Sequence, residues 1–424
     1  MRIKKTSFLF YLAIFLLPFQ TQYIYHTFLF PEGLSEYGKF SVFVTELLIV
    51  LSFLFSRSFA EKWHVESRKI MRGFFFCLAM VFLSLTFSKF YFVSLFAIGH
   101  LLIAGMIFLR MGESRINRDV VLSAFILGLV FPCLLGFYQY TQGFSPAYAW
   151  LGLAEKQVET PGVAVVATNS FRVMRAYGTF LHPNIFGGYL VTALFSLFFL
   201  AQSNASRTWM WITIPLTVLF SSTLFLTFSR SAWLAFLFAS LVLFIGSRVY
   251  KQTISKRVIF LGCVCFSTLI LFSVVFHAQF FARFDPSLHV EAISVSERTG
   301  QYQNFFEAFK QHPLVGSGFG TSVFHLESMI KHQPVWWYQP IHNVFLLILL
   351  ELGIVGFMAF GYFVKQVFSI IWQKRKTIEG IFSITLLISL CSMAFFDHYL
   401  FSLWSGLSLS AFILAISVRL THES

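Results

Sequence analysis

Arg230, Arg298 and His342 each stand where an apolar chain has little reason to hold a polar side chain. Arg230 lies in Phe228-Ser229-Arg230-Ser231-Ala232-Trp233, enclosed by apolar sequence on both sides. Charge at membrane depth is costly and usually faces a bundle interior or a polar cavity. The alternative is an arginine reaching out to lipid headgroups. Further along, Ser294-Val295-Ser296-Glu297 fits a capping box, and Tyr302, Phe305, Phe306 and Phe309 follow at helical spacing. An amphipathic helix is expected there, ending before Pro313. Arg298 would fall in its first turn, on the apolar side. A cation in a first turn opposes the helix dipole, and a bound anion would remove that conflict. His342 sits in Pro340-Ile341-His342-Asn343, which opens an apolar block. A helix start, nearby cations and burial all favour neutral imidazole. Neutral imidazole can take a proton near neutral pH, which suits general-base work.

A fourth motif runs Arg172-Val173-Met174-Arg175-Ala176-Tyr177-Gly178-Thr179-Phe180-Leu181-His182-Pro183-Asn184. Pro183 suits a first helical turn. Arg175 ahead of a helix N-terminus makes an anion site, or else greets lipid phosphate. Asp397-His398 is the runner-up base pair. Gly316-Ser317-Gly318-Phe319-Gly320 reads as a flexible or close-approach loop. No histidine spacing resembles a metal site. The five cysteines all fall in apolar blocks, with no disulfide or zinc spacing.

These residues need elements to carry them, and composition names the kind. Apolar residues make up 57% of the 424, charged residues only 12%, and mean hydropathy is +0.75. A soluble domain would carry about 25% charge. The apolar residues form about twelve blocks near the length that crosses a bilayer: 8–30, 40–56, 73–89, 91–109, 120–139, 180–202, 208–228, 230–248, 258–277, 342–364, 378–396 and 399–418. The expected fold is an all-α polytopic membrane protein, since helices satisfy every backbone group in lipid. The N-terminus resembles a signal peptide without a cleavage site, so 8–30 is read as a retained first span.

Basic residues then set orientation. Arg2, Lys4, Lys5, then Arg57, Lys62, Arg68, Lys69 and Arg72, and later alternate connections, give the N-terminal side about a two-to-one excess. Both termini are expected in the cytoplasm. Residues 1–424 read as one integral membrane domain. The two long connections, 140–179 and 278–341, are expected outside, the second as a large periplasmic loop with an amphipathic helix. The net charge of +13 is thus a topology signal. No nucleic-acid, Walker or GxGxxG motif is present.

Taken in order, the four motifs resemble the O-antigen ligase and O-antigen polymerase superfamily. His342-Asn343, nine residues, then Gly353-x-x-Gly356 is similar to the ligase signature, except that Phe357 stands where threonine is usual. The Arg175-to-Asn184, Ser-Arg-Ser and Pro313-x-x-Gly316-x-Gly318 stretches are similar as well, so the resemblance spans about 170–360. It implies a fold like the C-type membrane glycosyltransferases. It also implies transfer of a glycan from an undecaprenyl-diphosphate-linked donor to an acceptor hydroxyl on the periplasmic side, without metal or cofactor and with inversion. The acceptor would be a glycan or lipid A–core. By position His342 becomes the base, Arg230 and Arg298 the diphosphate contacts and Arg175 a third. Asn343, Gly353, Gly356, His182 and Asn184 support them. The alternatives are a polysaccharide polymerase or a protein O-oligosaccharyltransferase and, in another class, a transporter or flippase of lipid-linked sugars.

Overall fold

The computed structural model describes residues 5–30, 33–56, 65–168, 170–203 and 207–422. Arg2, Lys4, Arg57 and Lys62, which helped orient the chain, lie outside them. The chain is a mostly helical, multi-pass membrane protein. Among the described residues, nine helices are long and apolar enough to cross a bilayer, and three shorter apolar helices accompany them.

The first expected span is the main correction. Helix α1 (Lys5–Leu16) stops well short of Phe30. Strands β1 (Gln22–Phe30) and β2 (Gly33–Phe43) follow and pair antiparallel, with Gln22 opposite Phe43 and Thr27 opposite Lys39. Pro18 breaks the helix, and the run Gln-Tyr-Ile-Tyr-His-Thr-Phe-Leu-Phe is rich in aromatic and β-branched residues that favour a strand. The second expected span shortens to α2 (Val44–Leu54), because its first residues belong to β2.

Helices α3 (Val65–Phe87), α4 (Tyr91–Met111), α5 (Arg118–Gly128) and α6 (Val130–Gln142) come next. The first long connection holds two small ribbons, β3 (Phe144–Ser145) with β4 (Lys156–Gln157) and β5 (Val165–Ala167) with β6 (Arg172–Met174). Then follow α7 (Pro183–Ser203), α8 (Arg207–Leu226), α9 (Arg230–Val249) and α10 (Lys256–Val275). The second long connection carries α11 (His277–Ala282), α12 (His289–Gln311) and α13 (Ser322–Met329). Helices α14 (Val344–Gln373), α15 (Ile378–Phe396), α16 (Tyr399–Ser402) and α17 (Trp404–His422) complete the chain. α12 and α11 both touch β5, so the two long connections meet at one end of the bundle.

Helix α7 is the axis of the bundle, buried along nearly its whole length. It touches α5, α8, α9, α10, α15 and α17. Small residues let those neighbours close in, as in helix packing within lipid: a side chain at Gly187 would collide with Ala232, and one at Gly188 with Tyr399.

The capping-box expectation is also corrected. α12 begins at His289 with Leu288 as its cap, so Ser294–Glu297 lie inside the helix and Arg298 is not in its first turn. The helix ends at Gln311, ahead of Pro313 as expected.

α14 is broken at Gly353, which takes φ +66° and ψ −173°. The chain from Pro313 to Gly318 docks into the gap. Ile354 N donates to the Pro313 carbonyl at 2.9 Å and Val355 N to Leu314 at 3.2 Å. In return Ser317 N and Gly318 N donate to the Leu350 and Glu351 carbonyls at 3.1 and 3.0 Å. The groups that a broken helix orphans are thereby paired. A Cβ on Gly353 would overlap the Leu314 carbonyl, so glycine is required there for space as well as for its left-handed φ.

Candidate active site

Three segments converge where the long connections meet the bundle. The first is the stretch before α7. Gln139 of α6 holds it: its amide oxygen accepts Gly178 N at 2.7 Å, and its nitrogen donates to the Gly178 carbonyl at 2.8 Å. Arg175 is thereby buried, at 5% exposure. Its Nε donates to the Thr227 carbonyl and its Nη2 to Asn184 Oδ1, each at 2.7 Å. Asn184 passes the connection on, donating from Nδ2 to Asp397 Oδ2 at 2.6 Å. Its own backbone N–H donates to His182 Nδ1 at 3.1 Å.

The second segment is the start of α9. Ser229 caps it, accepting Ala232 N, and Arg230 is its first residue. Arg230 reaches Glu291 of α12 at 3.1 Å and donates to the Arg283 carbonyl at 2.8 Å. Arg283 also pairs with Glu291, and its Nε donates to the Phe228 carbonyl at 3.2 Å. One buried carboxylate therefore holds two guanidiniums. Arg298, two turns along α12 from Glu291, forms no hydrogen bond or ion pair with any described residue.

The third segment joins the start of α14 to the α15–α16 turn. Asn343 caps α14, accepting Leu346 N at 3.1 Å, and donates to the Phe395 carbonyl at 3.1 Å. That bond ties His342 to Asp397 and His398. The His342 and His398 rings lie 5.0 Å apart, nearly perpendicular. His342, Asp397 and His398 offer nitrogen and oxygen atoms all within 4.8 Å of one another. Asp397 accepts the His398 backbone N–H at 2.9 Å. His398 Nδ1 faces Ser402 Oγ at 2.7 Å, and its Nε2 lies 3.4 Å from the Tyr37 hydroxyl of β2. His342 Nδ1 lies 2.8 Å from Gln301 Oε1.

Charge sets the chemistry. Burial pushes the His342 imidazole below its ordinary value; Asp397 opposes this and Arg298 adds to it. Burial takes His398 down to about 3, helped by His342, and His182 to about 3, helped by Arg175. Burial works to raise Asp397, but His342, His398, His182 and the Asn184 amide together outweigh it and hold the carboxyl at about 2. At neutral pH the three imidazoles are neutral and Asp397 is an anion. Burial and the neighbouring Arg283 push Arg175 well down. A guanidinium stays charged in a protein, so Arg175 is held as a buried cation by the Thr227 carbonyl and Asn184. Glu291 acts on Arg175, Arg230 and Arg283, Glu297 lies beside Arg298, and Asp397 acts on His342, so guanidiniums and carboxylates are interspersed here.

Two apolar cavities border these segments. One of about 350 Å³ lies among α8, α9, α10 and α11 with Arg230 in its wall. The other, about 320 Å³, lies among α3, α4, α14, α15 and α17, and its wall includes Val344, Ala394 and Leu400 beside the histidines and Asp397.

The structure thus gathers Arg175, His182, Asn184, Arg230, Arg298, His342, Asn343 and the runner-up Asp397-His398 in one region. Gly353 and Gly356 lie apart from it, shaping the break in α14. Sequence reasoning missed Arg283, Glu291, Gln301 and Tyr37. Gln301 carried one usable signal, its place one turn after Arg298 on the same helical face. Tyr37 carried none, because its hairpin was read as part of a span.

Comparison with known proteins supplies independent findings. Residues 215–361 match the family described as O-antigen ligase. A curated relative, the general O-oligosaccharyltransferase of Acinetobacter baylyi, is 26% identical over 212 residues, covering 48% of this chain. The chain spans about a third of that relative's length, 35%. Arg230, Arg283, Glu291, Arg298, Gln301 and His342 fall inside the family match; Arg175, Asp397 and His398 fall outside it.

Proposed function

From a chain whose resemblance to the O-antigen ligase superfamily is borne out by both comparisons, we propose that it transfers a glycan from a lipid-linked diphosphate to an acceptor hydroxyl. The donor is of the undecaprenyl-diphosphate type. The end bearing the long connections faces the periplasm, with both termini in the cytoplasm of a bacterial inner-membrane protein. The observation that carries this reading is Arg298, a guanidinium without a hydrogen-bond or ion-pair partner among the described residues, beside a neutral histidine. An unpaired cation and a proton acceptor, side by side, suit one reaction: an anionic group departs while a hydroxyl attacks.

The steps balance without a cofactor. His342 takes the proton of the acceptor hydroxyl. The oxygen attacks the anomeric carbon from the face opposite the leaving group. The bond from that carbon to the diphosphate oxygen breaks, and its electron pair leaves with the diphosphate. Arg298 and Arg230 stabilise the growing charge, as preorganised donors do in a water-poor site. Arg283 shares Glu291 with Arg230 and so fixes where Arg230 points. Arg175 acts through Asn184 on Asp397. Single displacement of this kind inverts the anomeric centre. The cavity beside Arg230 supports the reading, since a donor with its diphosphate on Arg230 has apolar space for its chain.

Purified protein in lipid nanodiscs, given a lipid-diphosphate glycan and separate acceptors, tests this. Release of lipid diphosphate should require one acceptor class: lipid A–core for a ligase, a second lipid-linked glycan for a polymerase, a protein hydroxyl for an oligosaccharyltransferase. Movement of intact donor across the bilayer with no release would instead favour transport.

A further inference from the structure

We infer that Gln301 is a positioning residue: its amide oxygen keeps the His342 proton on Nδ1 and leaves the lone pair on Nε2. This rests on His342 being the base. The geometry leaves little choice of proton position. The backbone N–H of His342 can only donate, and it reaches Gln301 Oε1 at 3.2 Å. The amide therefore presents its oxygen; turned over, its NH₂ group would oppose that N–H. The same oxygen lies 2.8 Å from Nδ1. An oxygen acceptor there needs a proton on Nδ1, and a neutral ring then has Nε2 bare. One acceptor atom thus orients the ring and selects its tautomer, as second partners of catalytic histidines do.

His398 has no such constraint. Its Nδ1 faces Ser402 Oγ, a hydroxyl able to give or take a proton, and its Nε2 faces the Tyr37 hydroxyl. Of the two touching imidazoles, only His342 has its proton assigned by a pure acceptor. The charged and titratable groups facing His342 are Asp397 and His398 from the α15–α16 turn, His182 ahead of α7, and Arg298 from α12. Gln301 is the neutral member of this shell. It shares a face of α12 with Arg298, one turn away, so the same helix presents the anion contact and the group that prepares the base. Seating α12 correctly sets both at once.

The test uses the full-length protein in nanodiscs with Gln301→Leu and Gln301→Glu. Transfer is followed across pH, and carbethoxylation of His342 by diethyl pyrocarbonate is mapped by mass spectrometry. Gln301→Leu removes the acceptor, and kcat should fall about 10–100-fold while the KM for donor stays within about threefold. Gln301→Glu keeps the acceptor and adds a negative charge, which favours the imidazolium. Transfer should stay within about tenfold of wild type, while the acidic limb of its pH profile and of His342 modification both move up by about one unit. Normal kcat in Gln301→Leu at every pH, or an unmoved modification profile in Gln301→Glu, would overturn the assignment. If Gln301→Leu does not fold, Gln301→Glu decides alone. His342→Ala separates the two levels. If it still transfers, the base reading fails; if it is inactive while Gln301→Leu is normal, only the role of Gln301 fails. The modification profile needs no transfer assay and stands even without an acceptor.

Discussion

His342 and Arg298 matter for what they leave unbonded. His342 has Nδ1 engaged by Gln301, and its ring lies close to Asp397 and His398. Replacing it with alanine should lower kcat by about 10²–10⁴, the usual worth of a positioned base, with little change in donor affinity measured by equilibrium binding. Arg298→Ala should cost about 10²–10³ in rate. Arg298→Lys should recover part of this, because charge returns but the planar fork does not; steady-state kinetics on the pair reads the difference. Asp397 supplies the pH prediction. Its charge raises the His342 value against burial, so Asp397→Asn should lower that value further. His342 is then neutral, and competent, down to more acid pH, and the acidic limb of the rate profile moves down. An unmoved limb would show that Asp397 does not act through His342. The residues that sequence could mark were those whose type clashed with their surroundings, such as Arg230 in an apolar run. Glu291 and Gln301 show no clash locally. Their importance lies in partners distant in sequence, Arg230 for one and His342 for the other.

At the scale of elements, the Gly353-x-x-Gly356 spacing marks the break that lets Pro313–Gly318 dock into α14. Gly353→Ala would force a side chain into a left-handed φ and against Leu314. Strain at such a φ costs about 1–3 kcal/mol by itself. The variant should lose thermal stability in detergent and most of its transfer, since the docked segment leads from α12 into α13. Asn343→Ala should be milder, about 1 kcal/mol for a lost cap, and would also untie His342 from Phe395. Motif spacing found this glycine but not its task. Elements were legible where one period ran long, as in α7 or α15. They were not legible at β1 and β2, where an aromatic run of span-like hydrophobicity forms a hairpin instead. That hairpin brings Tyr37 to His398. A helix does end before Pro313 as expected, but its start was set too late, because the polar turn before Arg298 is helical too.

For the whole molecule, hydropathy foretold a helical bundle, and the family resemblance agrees with both comparisons. The meeting of the two long connections depends on tertiary contacts that neither could supply. That meeting brings Arg175, Arg230, Arg283 and Arg298 together around Glu291 and beside His342. The most direct measurement is lipid-diphosphate release by purified protein from a lipid-linked glycan, with and without acceptor, comparing wild type, His342→Ala and Arg298→Ala. Acceptor-dependent release by wild type, reduced at least about a hundredfold in both variants, is the predicted result. Undiminished release in either variant, or none from wild type with any acceptor class, would contradict glycan transfer at this site.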